Sequence, residues 1–346
     1  MKTLKRISVA IIVFVLGFIL YTLISTGFFR VVEPMLHGEI IKKVAVKGAE
    51  DITVSISDSF VLISATDRAN ISEINKDGGL YMIDLKSNNF VPQLLTKSLS
   101  FDFEPHGISY FKKDSTYHIM AINHANEEHS IELFELSKNE LVHKRTLKDP
   151  SMIQPNDLVM LDENRFYFTN DHRYTEGIGK VMEEFLGLAV SNVIYYDGED
   201  FKEAAKGIAY ANGINFDKKR KLIYVSSPRD FSVKVYSKLE DGSLSFIEDI
   251  ACGTGVDNIE LDENSDLWVG CHPNLLKFNA YRNNKEVKAP SEVIKITYKN
   301  RGDYSVEKIY IEDGTEMSAS TVAATYKDLV FVGNVMDEKF LILKLN

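Results

Sequence analysis

The sequence holds only two cysteines, Cys252 and Cys271, in 346 residues, so no disulfide framework carries the fold. The two thiols can pair with each other, but free cysteines acting as small buried hydrophobes are the more ordinary outcome. There is no block of lysines and arginines and the formal charge is −10, which argues against a nucleic-acid partner, because phosphate binding needs a concentrated basic face. A cation suits such a chain better. No Gly-x-Ser-x-Gly elbow is present to expose a nucleophilic serine, and no glycine-rich phosphate loop occurs. Long helical apolar periods are nearly absent, leaving short strands as the building material. What is present is globular: 45% hydrophobic, 26% charged and 11% aromatic residues, enough for a sizeable core.

Lys2, Lys5 and Arg6 precede a nearly unbroken apolar run from Ile7 to Phe29, long enough to span a bilayer. No Ala-x-Ala cleavage site follows it, which favours an uncleaved signal anchor over a removed signal peptide. The basic flank stays in the cytoplasm, so residues 31–346 are expected outside it, periplasmic or extracellular. Two parts are therefore expected, a membrane anchor at 1–30 and a single further domain at 31–346.

From about residue 38 the chain reads as short strands and turns, with Asp77-Gly78-Gly79, Asp197-Gly198 and Asp241-Gly242 as hairpin signals. One unit recurs: a polar residue or pair, an alternating strand, a polar turn, then a continuous apolar strand. It begins at Glu50, His106, Asn156, Asn212, Asp257-Asn258 and Ser320, at spacings of 56, 50, 56, 45 (to Asp257) and 62 (from Asn258) residues. That is the period of four-stranded propeller blades, and six such blades close a ring. The expected fold is an all-β six-bladed β-propeller. The strand-like stretch Glu39 to Val46 is placed to complete the blade begun at Ser320, so hydrogen bonding rather than a disulfide locks the seam.

The first strand of each blade lines the central channel, which brings the six opening positions into one ring. Any one polar residue there can be a turn cap; six in register point to a site. Glu50, Asn156, Asn212, Asp257 and Asn258 offer five side-chain oxygens and no sulfur, a donor set suited to calcium. Asp51 and Asp157 directly follow ring members. Because neighbouring strand residues face opposite ways, these two are assigned to a second, deeper ion.

The runs Gly48-Ala49-Glu50-Asp51, Pro105-His106-Gly107-Ile108-Ser109, Asn123-His124, Pro155-Asn156-Asp157, Thr169-Asn170-Asp171-His172, Ala211-Asn212-Gly213-Ile214-Asn215, Val256-Asp257-Asn258-Ile259 and Leu267-Trp268-Val269-Gly270-Cys271-His272-Pro273-Asn274 resemble, in order, those of the serum paraoxonase/arylesterase family. The resemblance implies a calcium-dependent hydrolase of lactones and aryl esters with two calcium ions in its tunnel, one catalytic and one structural. It implies Glu50, Asn156, Asn212, Asp257 and Asn258 as ligands of the catalytic ion. Asp51, Asp157 and the backbone carbonyl of Ile108 are implied for the structural one. It places His106 and His124 as the pair that activates water, with Asp257 as an alternative base or nucleophile, and His172 and His272 at the substrate pocket.

Three departures from that family stand out. The terminal cysteine pair is absent, the loop Thr66-Asp67-Arg68-Ala69-Asn70 carries charge where the family usually has tyrosine, and His272 can equally be a satisfied rim residue. Ile178, Val181, Met182, Phe185 and Leu186 fall at helical spacing and predict a short lid helix. Its apolar face ordinarily packs on the propeller; in the family a similar helix approaches lipid. His37, His118, His129 and His143 lack metal spacing and are expected on the surface or in strands. Asn70-Ile71-Ser72 fits a glycosylation acceptor only in a eukaryotic secretory route. Two competing readings remain: a non-catalytic calcium-stabilised propeller that binds a ligand, and a propeller of the gluconolactonase or strictosidine-synthase kind, neither of which calls for the histidine pair.

Overall fold

The computed structural model describes every residue except Met1, 70–77, 88, 126–127 and 138–139. The Asn70-Ile71-Ser72 triplet, Asp77 of the first hairpin signal and the end of the charged loop at Asn70 lie outside the described residues. The apolar run forms helix α1 (Lys2–Ser25), of which Thr3–Ser25 is long and apolar enough to cross a membrane. Most of its apolar side chains are exposed, and only its C-terminal turns pack against the rest of the chain.

Two short strands, β1 (Met35–Leu36) and β2 (Gly38–Val44), precede the blades. Blade 1 is β3 (Ala49–Ser55), β4 (Phe60–Ala65), β5 (Gly79–Asp84) and β6 (Gln93–Leu94); blade 2 is β7 (Pro105–Lys113), β8 (Thr116–Asn123), β9 (Ser130–Ser137) and β10 (Glu140–Leu147). Blade 3 is β11 (Pro155–Met160), β12 (Phe166–Asn170), then across helix α2 (Gly177–Leu186) β13 (Ser191–Tyr196) and β14 (Phe201–Ile208). Blade 4 is β15 (Ile214–Asp217), β16 (Leu222–Ser227), β17 (Ser232–Lys238) and β18 (Leu244–Ala251). Blade 5 is β19 (Gly255–Leu261), β20 (Leu267–His272), then across helix α3 (Leu275–Asn283) β21 (Ser291–Asn300) and β22 (Asp303–Glu312), with β1 added at its edge. Blade 6 is β23 (Ser320–Tyr326), β24 (Leu329–Asn334) and β25 (Phe340–Leu345), completed by β2.

The innermost strands β3, β7, β11, β15, β19 and β23 touch one another in sequence, and β23 meets β3 to close the ring. The seam is the expected one: β2 pairs antiparallel with β25 from Gly38 opposite Leu345 to Val44 opposite Phe340. Cys252 and Cys271 are free thiols. The hairpin signals hold at Gly198 and Gly242, whose backbones take the left-handed φ of 106° and 88°.

Each blade is buried on both faces. Six apolar clusters fill the six gaps between neighbouring blades, for example Leu62, Leu80, Ile108 and Phe134 between blades 1 and 2. On β4, Leu62 belongs to that gap while Val61 and Ile63 belong to the gap with blade 6. A period of two thus splits one strand between two neighbours, which is why second strands read as unbroken apolar runs rather than alternations.

Candidate functional site

The ring positions owe their aim to backbone irregularities. In five blades the pairing of the first and second strands slips where the ring residue sits: Ala49/Asp51, Pro105/Ile108, Pro155/Leu158, Val256/Ile259 and Ser320/Ala323. Such bulges place an extra residue against one partner and re-aim side chains. Two glycines allow the strands to converge there. A Cβ on Gly107 would lie 2.5 Å from Asp157 Cα, and one on Gly213 would lie 2.6 Å from Asn258 Cα.

Glu50, His106, Asn156, Asn212 and Asp257 line a cavity of about 330 Å³ at one end of the channel. Asn258 is buried beside them, its amide nitrogen donating to Glu50 Oε1 at 3.0 Å. Ser320 is the exception: its hydroxyl is spent on the carbonyls of Cys271 and Glu292, both at 3.0 Å. The bulge explains how the adjacent residues Asp257 and Asn258 both reach the ring, which simple strand alternation forbids.

Four buried oxygens at this ring have no hydrogen-bond partner among the described residues: Glu50 Oε2, Asn156 Oδ1, Asn212 Oδ1 and Asn258 Oδ1. An unpaired buried acceptor costs roughly 1–3 kcal/mol, more when charged, so four together call for a ligand. Oxygen acceptors of this type fit calcium. Three are amide oxygens, and among the described residues no group of three His, Cys, Asp or Glu side chains is placed to hold a metal. Burial pushes the Glu50 carboxyl up, but the His106 charge and hydrogen bond together with Arg68 outweigh it, leaving Glu50 below its ordinary value. Burial pushes Asp257 up, against the opposing hydrogen bond of His272.

One step along the same strands the chain forms a different cluster. Asp51 and Asp157 are buried, and both are pushed well above the usual carboxylate range, first by burial; for Asp51 the next cause is the charge of Asp157. Asp51 Oδ2 accepts the N–H of Ile108 at 2.8 Å, and Asp157 Oδ2 accepts that of Ile214 at 2.8 Å. Both bonds cross from one blade to the next. Asp157 borders a second cavity of about 220 Å³, lined also by Thr53, Ile108 and Glu260, while Asp51 meets its wall through the Ile108 N–H. Sequence reading missed Glu260. Burial and the charge of Asp51 push its carboxyl well above the usual range, and Thr53 donates to it at 3.1 Å. Its signal was its place in β19, two residues beyond Asn258.

The histidines resolve into distinct roles. His106 Nδ1 lies 2.9 Å from His124 Nε2, and His106 Nε2 lies 3.4 Å from Glu50 Oε1. His129, expected on the surface or in a strand, instead lines the cavity with its Nδ1 2.8 Å from His124 Nδ1. His272 is on the cavity wall and buried, with Nε2 2.8 Å from Asp257 Oδ2 and its ring stacked on Phe278. His172 backs the wall formed by Asp171 and Tyr210 rather than lining it: Nδ1 meets Asp171 Oδ1 at 2.7 Å and the ring packs edge-on against Tyr210. Burial lowers its pKa, but the Asp171 carboxylate outweighs that and raises it.

The mouth is roofed by three helices. Thr26, just past α1, together with Glu184 and Phe185 of α2 and Leu275, Leu276 and Phe278 of α3, lines the cavity. Helix α3 escaped the sequence reading because its apolar residues serve two sides, Phe278 the cavity and Tyr281 the core; its start is marked by the Asn274 side chain, which caps Lys277 N–H at 3.0 Å. Helix α2 appears where its periodicity predicts and ends on Gly187 in the left-handed conformation. The expectation that its apolar face packs on the propeller is corrected. Ile178 is 81% exposed and Val181 48%, while Phe185 alone of the stripe turns to the cavity. α2 is tied instead to α1: Tyr21 donates to the Leu186 carbonyl at 2.9 Å, and buried Arg229 donates to the carbonyls of Ser25 and Phe185 at 2.9 and 3.2 Å. In the charged loop, Arg68 reaches the cavity and donates to the Pro105 carbonyl at 3.0 Å.

The arylesterase family profile matches residues 29–342. Serum paraoxonase/arylesterase 2 of Gallus gallus is 32% identical over 297 residues, and serum paraoxonase/arylesterase 1 of Homo sapiens 33% identical over 298; each alignment covers 83% of this chain and 83% of the relative. Among solved structures, a luciferin-regenerating enzyme superposes with a TM-score of 0.56 at 12% identity, covering 91% of this chain and 98% of the other. The calcium-binding protein regucalcin of Agrobacterium tumefaciens superposes with a TM-score of 0.53 at 12% identity, covering 90% and 94%. At such identities the superpositions speak for the propeller fold alone, whereas the profile and the curated relatives, spanning most of the chain, speak for descent: this chain belongs to the serum paraoxonase/arylesterase family.

Proposed function

We propose that the protein is a calcium-dependent hydrolase of lactones and aryl esters, held at a membrane by residues 1–30, with the catalytic domain at 31–346 outside the cytoplasm. The observation that carries this reading is the set of four unpaired buried oxygens, three of them on residues that line a cavity also containing His106 and His124. Glu50, Asn156, Asn212, Asp257 and Asn258 would hold the catalytic ion, and Asp51, Asp157 and the Ile108 carbonyl the structural one. When bound, calcium supplies Lewis-acid polarisation of the ester carbonyl.

The side chains do the rest. His106 takes the proton of the attacking water at Nε2, and His124 holds the ring in the tautomer that leaves this nitrogen free. Asp257 is the weaker candidate for base or nucleophile, because one of its oxygens is already engaged by His272. Phe185, Leu275, Leu276 and Phe278 exclude water and receive the apolar part of the substrate. Arg68 replaces an aromatic wall with a charged one, so the preferred lactone differs from that of the family's tyrosine-bearing members. The exposed stripe of α2 beside the anchor fits a mouth opening at the lipid surface, the route by which an apolar lactone arrives.

A hydrolysis panel of γ-, δ- and long-chain lactones and phenyl acetate, with and without EGTA, tests the reading. Turnover that disappears with chelation and returns with calcium is expected; full activity after the metal is shown to be gone overturns it.

A further inference from the structure

His106 and His124 do not end the row of imidazoles. His124 meets His106 through Nε2 at 2.9 Å and His129 through Nδ1 at 2.8 Å, and the successive rings stand edge-on with centroids 5.0 and 4.9 Å apart. All three line the cavity, and His129 is half-buried one residue before β9.

A hydrogen bond between two ring nitrogens holds one proton, and a neutral imidazole carries one proton in all. The three tautomers are therefore linked. If His106 keeps Nε2 free as an acceptor, its proton is on Nδ1 and is donated to His124 Nε2. His124 then carries its proton on Nδ1 and donates it to His129 Nδ1, which leaves the His129 proton on Nε2. No other set of three neutral rings fills both hydrogen bonds and leaves His106 ready to accept.

We propose that His129 is the far end of a proton relay that starts at His106, a role that rests on the hydrolase reading above. As the water oxygen bonds to the acyl carbon, its O–H bond breaks and the proton goes to His106 Nε2. The His106 Nδ1 proton crosses to His124 Nε2, and the His124 Nδ1 proton crosses to His129 Nδ1. One proton has moved and each ring keeps its electron pairs; only His129 ends with an added charge.

The surroundings of His129 suit a group that takes a proton and releases it. Burial lowers its pKa, while the Asp171 carboxylate favours the charged form and opposes that fall without overcoming it. His106 then gives its Nε2 proton to the departing alkoxide as the row shifts back, which restores all three starting tautomers; a proton lent meanwhile by His129 to a buffer base at the mouth is returned before that step.

His129→Asn and His129→Ala separate relay from positioning. Asparagine keeps a side chain able to bond His124 but cannot carry the proton onward; alanine removes both. In either variant kcat on a lactone should fall by about tenfold, less than the roughly 10²–10⁴-fold of losing the base itself, with KM and calcium binding unchanged. Added imidazole buffer should restore kcat in the variants and leave wild type unaffected. His129→Asn with wild-type kcat and no response to imidazole overturns the relay. If His129→Ala fails to fold, the asparagine variant and its imidazole response decide alone. His106→Gln is the control: inactive His106→Gln with a fully active His129→Asn removes the relay and leaves the hydrolase reading intact, whereas an active His106→Gln removes the base from which both begin.

Discussion

Glu50 and Asp51 are neighbours in sequence, as are Asn156 and Asp157, yet the two members of each pair serve clusters of opposite character. At the upper ring, acceptors are held back: Glu50, Asn156 and Asn212 on the wall of a cavity roofed by helices, and Asn258 buried beside them, each keep one oxygen unpaired. At the lower cluster, Asp51 and Asp157 each spend one oxygen on a backbone N–H of the adjoining blade. The upper ring is free to bind and exchange; the lower one stitches blade 1 to blade 2 and blade 3 to blade 4. A single pleat, adjusted by the bulges, thus separates chemistry from construction.

The largest expected effect separates the two at once. His106→Gln, at the upper ring, should lower lactonase kcat by roughly 10²–10⁴-fold while the melting temperature and calcium stoichiometry stay those of wild type. A near-native kcat/KM in this variant, with Asp257→Asn inactive and still calcium-loaded, would assign the base to the carboxylate. Next in size is Asp157→Ala at the lower cluster. It strips the acceptor from the N–H groups of Ile214 and Leu158, at roughly 1–3 kcal/mol for each buried group left unpaired. Melting temperature and folding yield should drop, with activity per folded molecule largely kept. Asn258→Ala should give the reverse pattern, a folded protein with impaired turnover. An Asp157→Ala protein as stable as wild type removes the contrast between the clusters.

A smaller effect concerns the roof, which only the upper ring uses. A chain starting at Val31 should be soluble and folded, but it lacks Thr26 from the cavity wall, the Ser25 carbonyl that Arg229 grips, and the buried Arg30–Glu292 pair at 2.5 Å. Its KM for long-chain lactones should rise more than its kcat falls. Equal KM in the two chains would show that the anchor docks without shaping the site.

The repeat, the ring and the seam were legible because they depend on period and order: polar openers at blade spacing, and a strand-like start for a chain whose last blade lacks its fourth strand. Helix α2 was legible from its stripe, although not the direction in which that stripe faces, because an apolar face turned outward beside an anchor has the same spacing as one turned inward. His129 was illegible. Its spacing from His124 means nothing until the fold brings the two rings together. Asp257 and Asn258 were both set in the ring by the repeat, but the bulge that lets two adjacent residues share it was hidden, since a bulge is a property of two strands and not of one. Glu260 looked like an ordinary strand acid until the fold set it in one cavity with Asp157 and within reach of the Asp51 charge.

Glu260 supplies the smallest and sharpest comparison, because its effect should change sign with calcium. In the calcium-free protein its carboxyl is held near Asp51 in an enclosed position, and burial and that like charge both oppose ionisation. Glu260→Gln keeps the size and an oxygen for the Thr53 hydroxyl while removing the charge, so in EGTA the variant should melt slightly above wild type at neutral pH. With calcium present, a negative group beside Asp51 and Asp157 favours the bound ion, and ion binding adds stability in proportion to the logarithm of occupancy. There the variant should melt slightly below wild type and need more calcium to reach half of its thermal shift. No comparable inversion is expected for Asn258→Ala, whose neutral amide carries no charge to repel its neighbours. A Glu260→Gln protein shifted the same way in both conditions would mean that Glu260 acts through packing, and that the lower cavity holds its acids without a cation.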